Sequence, residues 1–189
     1  MQKKPYRNAL RSRAMIRTAF VSLLAEHPLE KITVVDVVNR ADLSRNTFYA
    51  HYQDVYAVLE EFQQEALDAL AAALTEASAL DLLHDPLPLM LQAAEFVAAH
   101  RDSYRVLLSS TPSGVFVGKL RRVLIDRMQA ELSRAAIRDR QGLLLLTEVL
   151  CAGFVTLISQ YLRGETSLTP DAIACETARI WCAGLPLYL

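Results

Sequence analysis

Apolar positions recur along this chain at spacings of three and four, the period of a helix face turned to a core. Between Arg11 and Glu26 they fall at 15, 16, 19, 20, 23 and 24, and Pro28 marks the end of that helix. "ITVVDVV" (Ile32 to Val38) has the β-branched content of a strand, but its valines stand in adjacent pairs and break the alternation. Positions 34, 37, 38 and 41 make a helical stripe instead. Thr33 supplies the N-cap with Asp36 as its capping-box partner, and Ile32 and Val37 sit where a hydrophobic staple closes. The pattern predicts a helix from Val34 to Ala41.

Ser44 repeats the arrangement. It caps a helix that begins at Arg45, with Leu43 and Phe48 as a second staple. Only Asp42, Leu43 and the cap separate the two helices, and so short a turn forces the steep crossing of a helix-turn-helix.

Asp54 caps the next helix, whose stripe (55, 58, 59, 62, 66, 70, 73, 77) carries it to about Ala79. "LDLLHDPLPL" (Leu80 to Leu89) is a break, followed by a helix to about Ala99 and a short one around Ser103 to Leu108. "SSTPSG" (Ser109 to Gly114) reads as a loop. Helices from about Val115 to Ala136 and Asp139 to Arg163 follow, the latter ended by Gly164. Thr169 and Pro170, a cap and a first-turn proline, open a last helix to about Ala183. The fold class is therefore all-α, with about nine helices: a three-helix head over 1–53 and a second domain over 54–189.

Charge sharpens the picture. The formal net charge is -1, but residues 1–52 hold nine Lys and Arg against four acids, about +5, which leaves about -6 on the remainder. A basic head on a mildly acidic body suits a polyanionic partner. The three cysteines (Cys151, Cys175, Cys182) lie in apolar stretches with no C-x-x-C and read as buried thiols of a reducing cytoplasm. "LLLLTEVLCAGFVTLISQYL" (Leu143 to Leu162) is as long as a bilayer span, but Glu148 near its middle favours a buried interface helix over a membrane segment.

The helix that starts at Arg45 has two chemically distinct sides. Phe48 and Tyr52, four apart, share the inner side with Leu43. The outer side centres on Ala50, with Asn46 and Thr47 beside it and Arg45, Tyr49 and His51 on the flanks. Such a side is small and polar enough to enter a major groove. Asn46 pairs with adenine, Arg45 with guanine or phosphate, and Ala50 and the Thr47 methyl suit a thymine methyl. Tyr49, His51 and Thr33 stand at the margin for phosphates, and the helix N-termini at Thr33 and Ser44 add favourable partial charge.

No Glu-x-x-His pair, Gly-rich phosphate loop or G-x-S-x-G motif is present, so the sequence predicts neither an enzyme nor a bound metal or cofactor. His84 beside Asp85 and His100 near Asp102 read as surface contacts.

On these residues the chain resembles the TetR/AcrR family of bacterial transcriptional regulators. The likeness covers roughly Arg11 to Leu59 and rests on Ile32-Thr33-Val34, Ala41, Leu43-Ser44, Thr47-Phe48-Tyr49, His51-Tyr52 and Asp54. It implies an all-α homodimer with an N-terminal DNA-binding domain and a C-terminal domain for ligand and partner subunit. It also implies Thr33, Arg45, Asn46, Thr47, Tyr49 and His51 at the DNA. Two positions depart from the pattern: Asp42 replaces the usual glycine of the turn, and Val55 a frequent lysine. "FVTLISQYLRGETSLTPDAIA" (Phe154 to Ala174) is similar to the branch whose last two helices form a dimeric four-helix bundle, which places the subunit contact at Asp139–Arg163 and Pro170–Ala183.

The expectation is a cytoplasmic repressor on a pseudo-palindromic operator, released by an unknown small-molecule effector. Met90, Phe96, His100, Tyr104, Phe116, Met128 and Phe154 are the candidate pocket residues. The alternative is a helical small-molecule-binding or interaction protein with a weakened DNA head.

Overall fold

The computed structural model describes residues 4–75, 84–110, 114–132 and 137–188. Nine α-helices occur among them: α1 (Lys4–Glu26), α2 (Val34–Ala41), α3 (Arg45–Tyr49), α4 (Val55–Thr75), α5 (Leu87–Ala99), α6 (Arg101–Ser110), α7 (Val115–Leu132), α8 (Arg140–Arg163) and α9 (Pro170–Gly184). No strand is present among the described residues. The expected ends of α4 near Ala79 and α7 near Ala136, the stretch 80–83 and the loop residues 111–113 lie outside them.

Local chemistry sets the boundaries. Thr33 and Asp36 close a reciprocal capping box at the start of α2. Ser44, Asp139 and Thr169 each accept a backbone N–H from the first turn of α3, α8 and α9. Gly164 ends α8 in the left-handed conformation at φ 75°. Asp42 ends α2 in the same region, at φ 53° and ψ 48°. It is the only non-glycine residue with positive φ among those described, standing where the family pattern has glycine.

Three elements differ from the sequence expectation. α1 begins at Lys4, about three turns before its apolar stripe opens at Met15. α6 runs through Ser109 and Ser110, expected to be loop. α3 spans only five residues, so Ala50 and His51 occupy the turn after it. Tyr52 N–H still donates to Phe48 O at 2.9 Å, however, and the near-helical path keeps the predicted faces.

The chain forms two compact units. One takes in the chain to Glu65 together with Ser109 and Ser110; the other runs from Ala66 to Leu108 and includes the C-terminal helices. In the first, α1, α2 and α3 pack on one another around Ile16, Phe20, Val37 and Phe48, all fully buried. In the second, α5 packs on α9, α7 on α8 and α8 on α9. Trp181, Tyr104, Phe116, Leu89 and Leu107 fill its core. Gly142 gives the ring of Tyr188 room against the first turn of α8; a Cβ there would collide with it.

α8 is long and apolar enough to cross a bilayer by length and composition. One side of it nevertheless buries Leu143, Cys151, Phe154, Val155, Ile158 and Leu162 against neighbouring helices. The cysteines divide. Cys151 is buried as expected, but Cys175 and Cys182 are exposed, because the inward side of α9 is taken by Ile173, Ala174, Thr177, Ala178 and Trp181.

Candidate nucleic-acid interface

α3 is too short to hold its own shape and depends on anchors. Phe48 is 0% exposed and Tyr52 5% exposed, with ring centroids 5.8 Å apart. The other side is open: Ser44, Arg45, Asn46, Tyr49 and Ala50 are all exposed, and Thr47 and His51 are half-buried. Tyr49 stands edge-on to Phe48, its ring 5.7 Å away, and is 57% exposed. The seven candidates from Ser44 to His51 thus form one continuous surface.

The two aliphatic hydroxyls on this surface, Ser44 and Thr47, are already engaged. Ser44 Oγ and Thr47 Oγ1 lie 2.9 Å apart, and Ser44 Oγ also accepts from Thr47 N–H. Thr33, exposed at the start of α2, donates its hydroxyl proton to Asp36 Oδ2 at 2.6 Å and accepts from Asp36 N–H. These bonds hold the Asp36 carboxyl below its ordinary value, with the Thr33 hydroxyl as the largest cause. As a donor to phosphate, Thr33 has to leave Asp36 first.

His51 is tied to α1, with Nε2 2.7 Å from Ser12 Oγ. Ser12 did not stand out from the sequence, although the signal was there. It lies one turn before Ile16 on the inward stripe of α1, where a polar residue needs a partner.

Much of the basic charge of the first 52 residues is bound internally. Arg13 donates to both carboxylate oxygens of Glu61 and to the Tyr52 hydroxyl, which itself donates to Glu61 at 3.0 Å. Arg17 pairs with Glu65, and Arg40 with Glu26 and the Ser22 hydroxyl. The Arg13 and Arg17 spacing matches that of Glu61 and Glu65, one helical turn in each case. Partial burial raises the Glu61 carboxyl, but the Arg13 and Tyr52 hydrogen bonds outweigh it and the net direction is down. Burial raises the Tyr52 hydroxyl.

The expected ligand-site residues lie in the second unit. Phe96, Tyr104 and Phe116 form an aromatic cluster, with Tyr104 donating to Ala66 O at 2.8 Å. Met90 and Met128 are buried, while His100 is exposed, stacked on Phe96 at 4.3 Å. Phe154 lines a small apolar cavity of about 20 Å³ with Leu70, Val97, Leu124, Val155 and Ile158. That is room for about one water. Among the described residues no His, Cys, Asp and Glu side chains converge as a metal site.

Solved structures share this architecture. A TetR transcriptional regulator from Streptococcus agalactiae 2603V superposes with a TM-score of 0.71 at 21% identity, over 94% of this chain and 97% of that one. The fold is that of the TetR-family regulators. A second TetR-family regulatory protein, from Rhodococcus RHA1, matches with a TM-score of 0.60 at 17% identity, over 92% of this chain and 96% of its own. The dihydroxyacetone kinase operon activator DhaS matches with a TM-score of 0.63 at 12% identity, over 94% and 97%. In sequence, an uncharacterized HTH-type transcriptional regulator of Bacillus subtilis, YxbF, is 26% identical over 99 residues, 51% of this chain. The chain spans about a quarter of that protein's length, 26%. No protein-family model matches. The Ser44–His51 surface lies on α3, the second of the two helices joined by the short turn at Asp42, and on the turn after it.

Proposed function

We propose that this chain is a sequence-specific, DNA-binding transcriptional regulator whose residues 1–53 form the reading head. The observation that carries the proposal is the division of one short segment into two sides. Phe48 and Tyr52 are sealed into the head, while Arg45, Asn46, Tyr49 and Ala50 are presented outward. A purely structural helix has no need of an outward face so rich in base-pairing and phosphate-binding groups. Arg45 and Asn46 read base edges, Ala50 and Thr47 contact thymine methyls, and Ser44, Tyr49, His51 and Thr33 meet the backbone.

The working form in this proposal is a homodimer with one head in each of two successive major grooves. Its support is a set of exposed apolar residues on α8 and α9. On α8, Leu145 is 65% exposed and Val149 59%; on α9, Ile180 is 52% exposed. Gly153 lies on the same side of α8 with open space around its Cα, which lets a partner helix approach closely. A small-molecule effector acts in this reading by binding more tightly to the DNA-free conformation and enlarging the small apolar cavity beside Phe154. The cytoplasm is the compartment where such a regulator meets its operator.

Selection of bound fragments from the source genome tests the proposal. A recovered set sharing a pseudo-palindromic site supports it; no enrichment over random fragments overturns it.

One observation favours a second reading, a helical binding or interaction protein with a weakened head. Arg13, Arg17 and Arg40 spend their charge on carboxylates of the same chain. The salt dependence of duplex binding separates the two, since a head making several phosphate contacts loses affinity steeply as salt rises.

A further inference from the structure

Ser12 and His51 meet in a geometry that fixes where the protons are. Ser12 Oγ lies 3.0 Å from Asn8 O, 3.0 Å from Ala9 O and 2.7 Å from His51 Nε2. The hydroxyl has one proton, and both carbonyls can only accept. Given to the α1 carbonyls, that proton leaves the Ser12 lone pairs facing the ring, and the ring nitrogen must donate. Given instead to Nε2, it leaves two carbonyl oxygens at hydrogen-bond distance from a hydroxyl oxygen with no proton between them. Only the first arrangement satisfies all three contacts.

We infer that Ser12 is a positioning residue that holds His51 with Nε2 protonated, leaving Nδ1 as the atom offered to DNA and making its phosphate contact proton-linked. Among the described residues Nδ1 has no hydrogen-bond partner. In the neutral ring it is an acceptor and gives a phosphate oxygen nothing to bind; in the imidazolium it is a donor carrying positive charge. Contact with phosphate through Nδ1 therefore requires the ring to carry both protons. The groups facing His51 are Ser12 from α1 and the Tyr52 ring at 6.3 Å, whose hydroxyl is held by Arg13 and Glu61. Among the described residues His51 makes no ion pair. The inference rests on the reading of the Ser44–His51 surface as the DNA face.

The first test needs no DNA. Nitrogen-15 NMR of the histidine side chains in the free full-length protein at pH 8 is expected to show His51 with a protonated Nε2 and a bare Nδ1. In Ser12→Ala the resonances should move to the averaged tautomers of a solvated imidazole, and Ser12→Thr, which keeps the hydroxyl, should restore the wild-type pattern. A protonated Nδ1 in the wild type, or a Ser12→Ala spectrum unchanged from it, overturns the proposal.

The second test titrates a duplex recovered in the genomic selection at pH 7 and pH 8 and constant ionic strength. Wild-type affinity should fall by up to about tenfold per head across that unit, the limit for one linked proton. His51→Gln should lack this component. Ser12→Ala should show less of it, since the freed ring can donate from Nδ1 without gaining a proton. Equal pH slopes for wild type and His51→Gln overturn the linkage. Should the wild type bind no duplex at all, the DNA reading fails and this role with it, while the NMR result still reports the tautomer.

Discussion

Phe48 and Tyr49 are adjacent in the chain, their rings 5.7 Å apart and nearly perpendicular, yet one is 0% and the other 57% exposed. The two rings divide the work of α3 between holding and reading. Phe48→Ala should destabilise the head by about 3–5 kcal/mol, the cost of emptying a buried aromatic site. Tyr49→Phe should leave the unfolding midpoint within error and weaken binding to a selected duplex. Chemical denaturation and fluorescence anisotropy on the same preparations check both; equal loss of stability in the two variants would count against the face assignment.

Asp42 holds the turn between α2 and α3 in the left-handed region. Asp42→Val should cost about 1–2 kcal/mol, because a β-branched side chain has no local hydrogen bond to offset its clash there. Asp42→Gly should be far milder. Urea midpoints of the two variants give the comparison.

The Arg13–Tyr52–Glu61 cluster joins the start of α4 to α1 and makes a pH prediction. The folded Glu61 carboxyl is lowered, so its contribution is fully present above the unfolded value of about 4.3 and is lost as pH falls through the folded value. Arg13 is about half exposed, which limits the contribution to about 1 kcal/mol or less. Glu61→Gln should thus be less stable than wild type at pH 7, and the gap should close well below pH 4. Paired urea titrations at the two pH values measure it.

The thiols should react in two classes. Burial, aided by Glu148, pushes the Cys151 thiol up to about 12, so almost no thiolate exists at pH 8. Cys175 and Cys182 are exposed. A chromogenic disulfide reagent should titrate two thiols quickly in the native protein and the third only on unfolding.

The open face of α8 is testable by size. Val149→Arg places a charge where Val149 is 59% exposed, so it should leave the chain folded. Sedimentation velocity should show a smaller species than the wild type, and an unchanged dimer would remove α8 from the subunit contact.

The sequence by itself determined the local structure of the head. Thr33 with Asp36, and Ser44 with Thr47, satisfy free N–H groups within a single turn, so the starts of α2 and α3 follow from neighbours three residues apart. The same holds for the inward and outward sides of α3, which depend on helical period alone. Tertiary structure decided what distance in sequence conceals. Arg13, Arg17 and Arg40 read as charge offered to a polyanion until their carboxylate partners are brought beside them, and Ser12 gains meaning only against His51, 39 residues away. Among the aromatic and sulfur-bearing candidates for a ligand site, packing placed Phe154 at a small cavity and Met90, Tyr104, Phe116 and Met128 in the core, because the same apolar side chains line a pocket or fill a core according to which helices close on them.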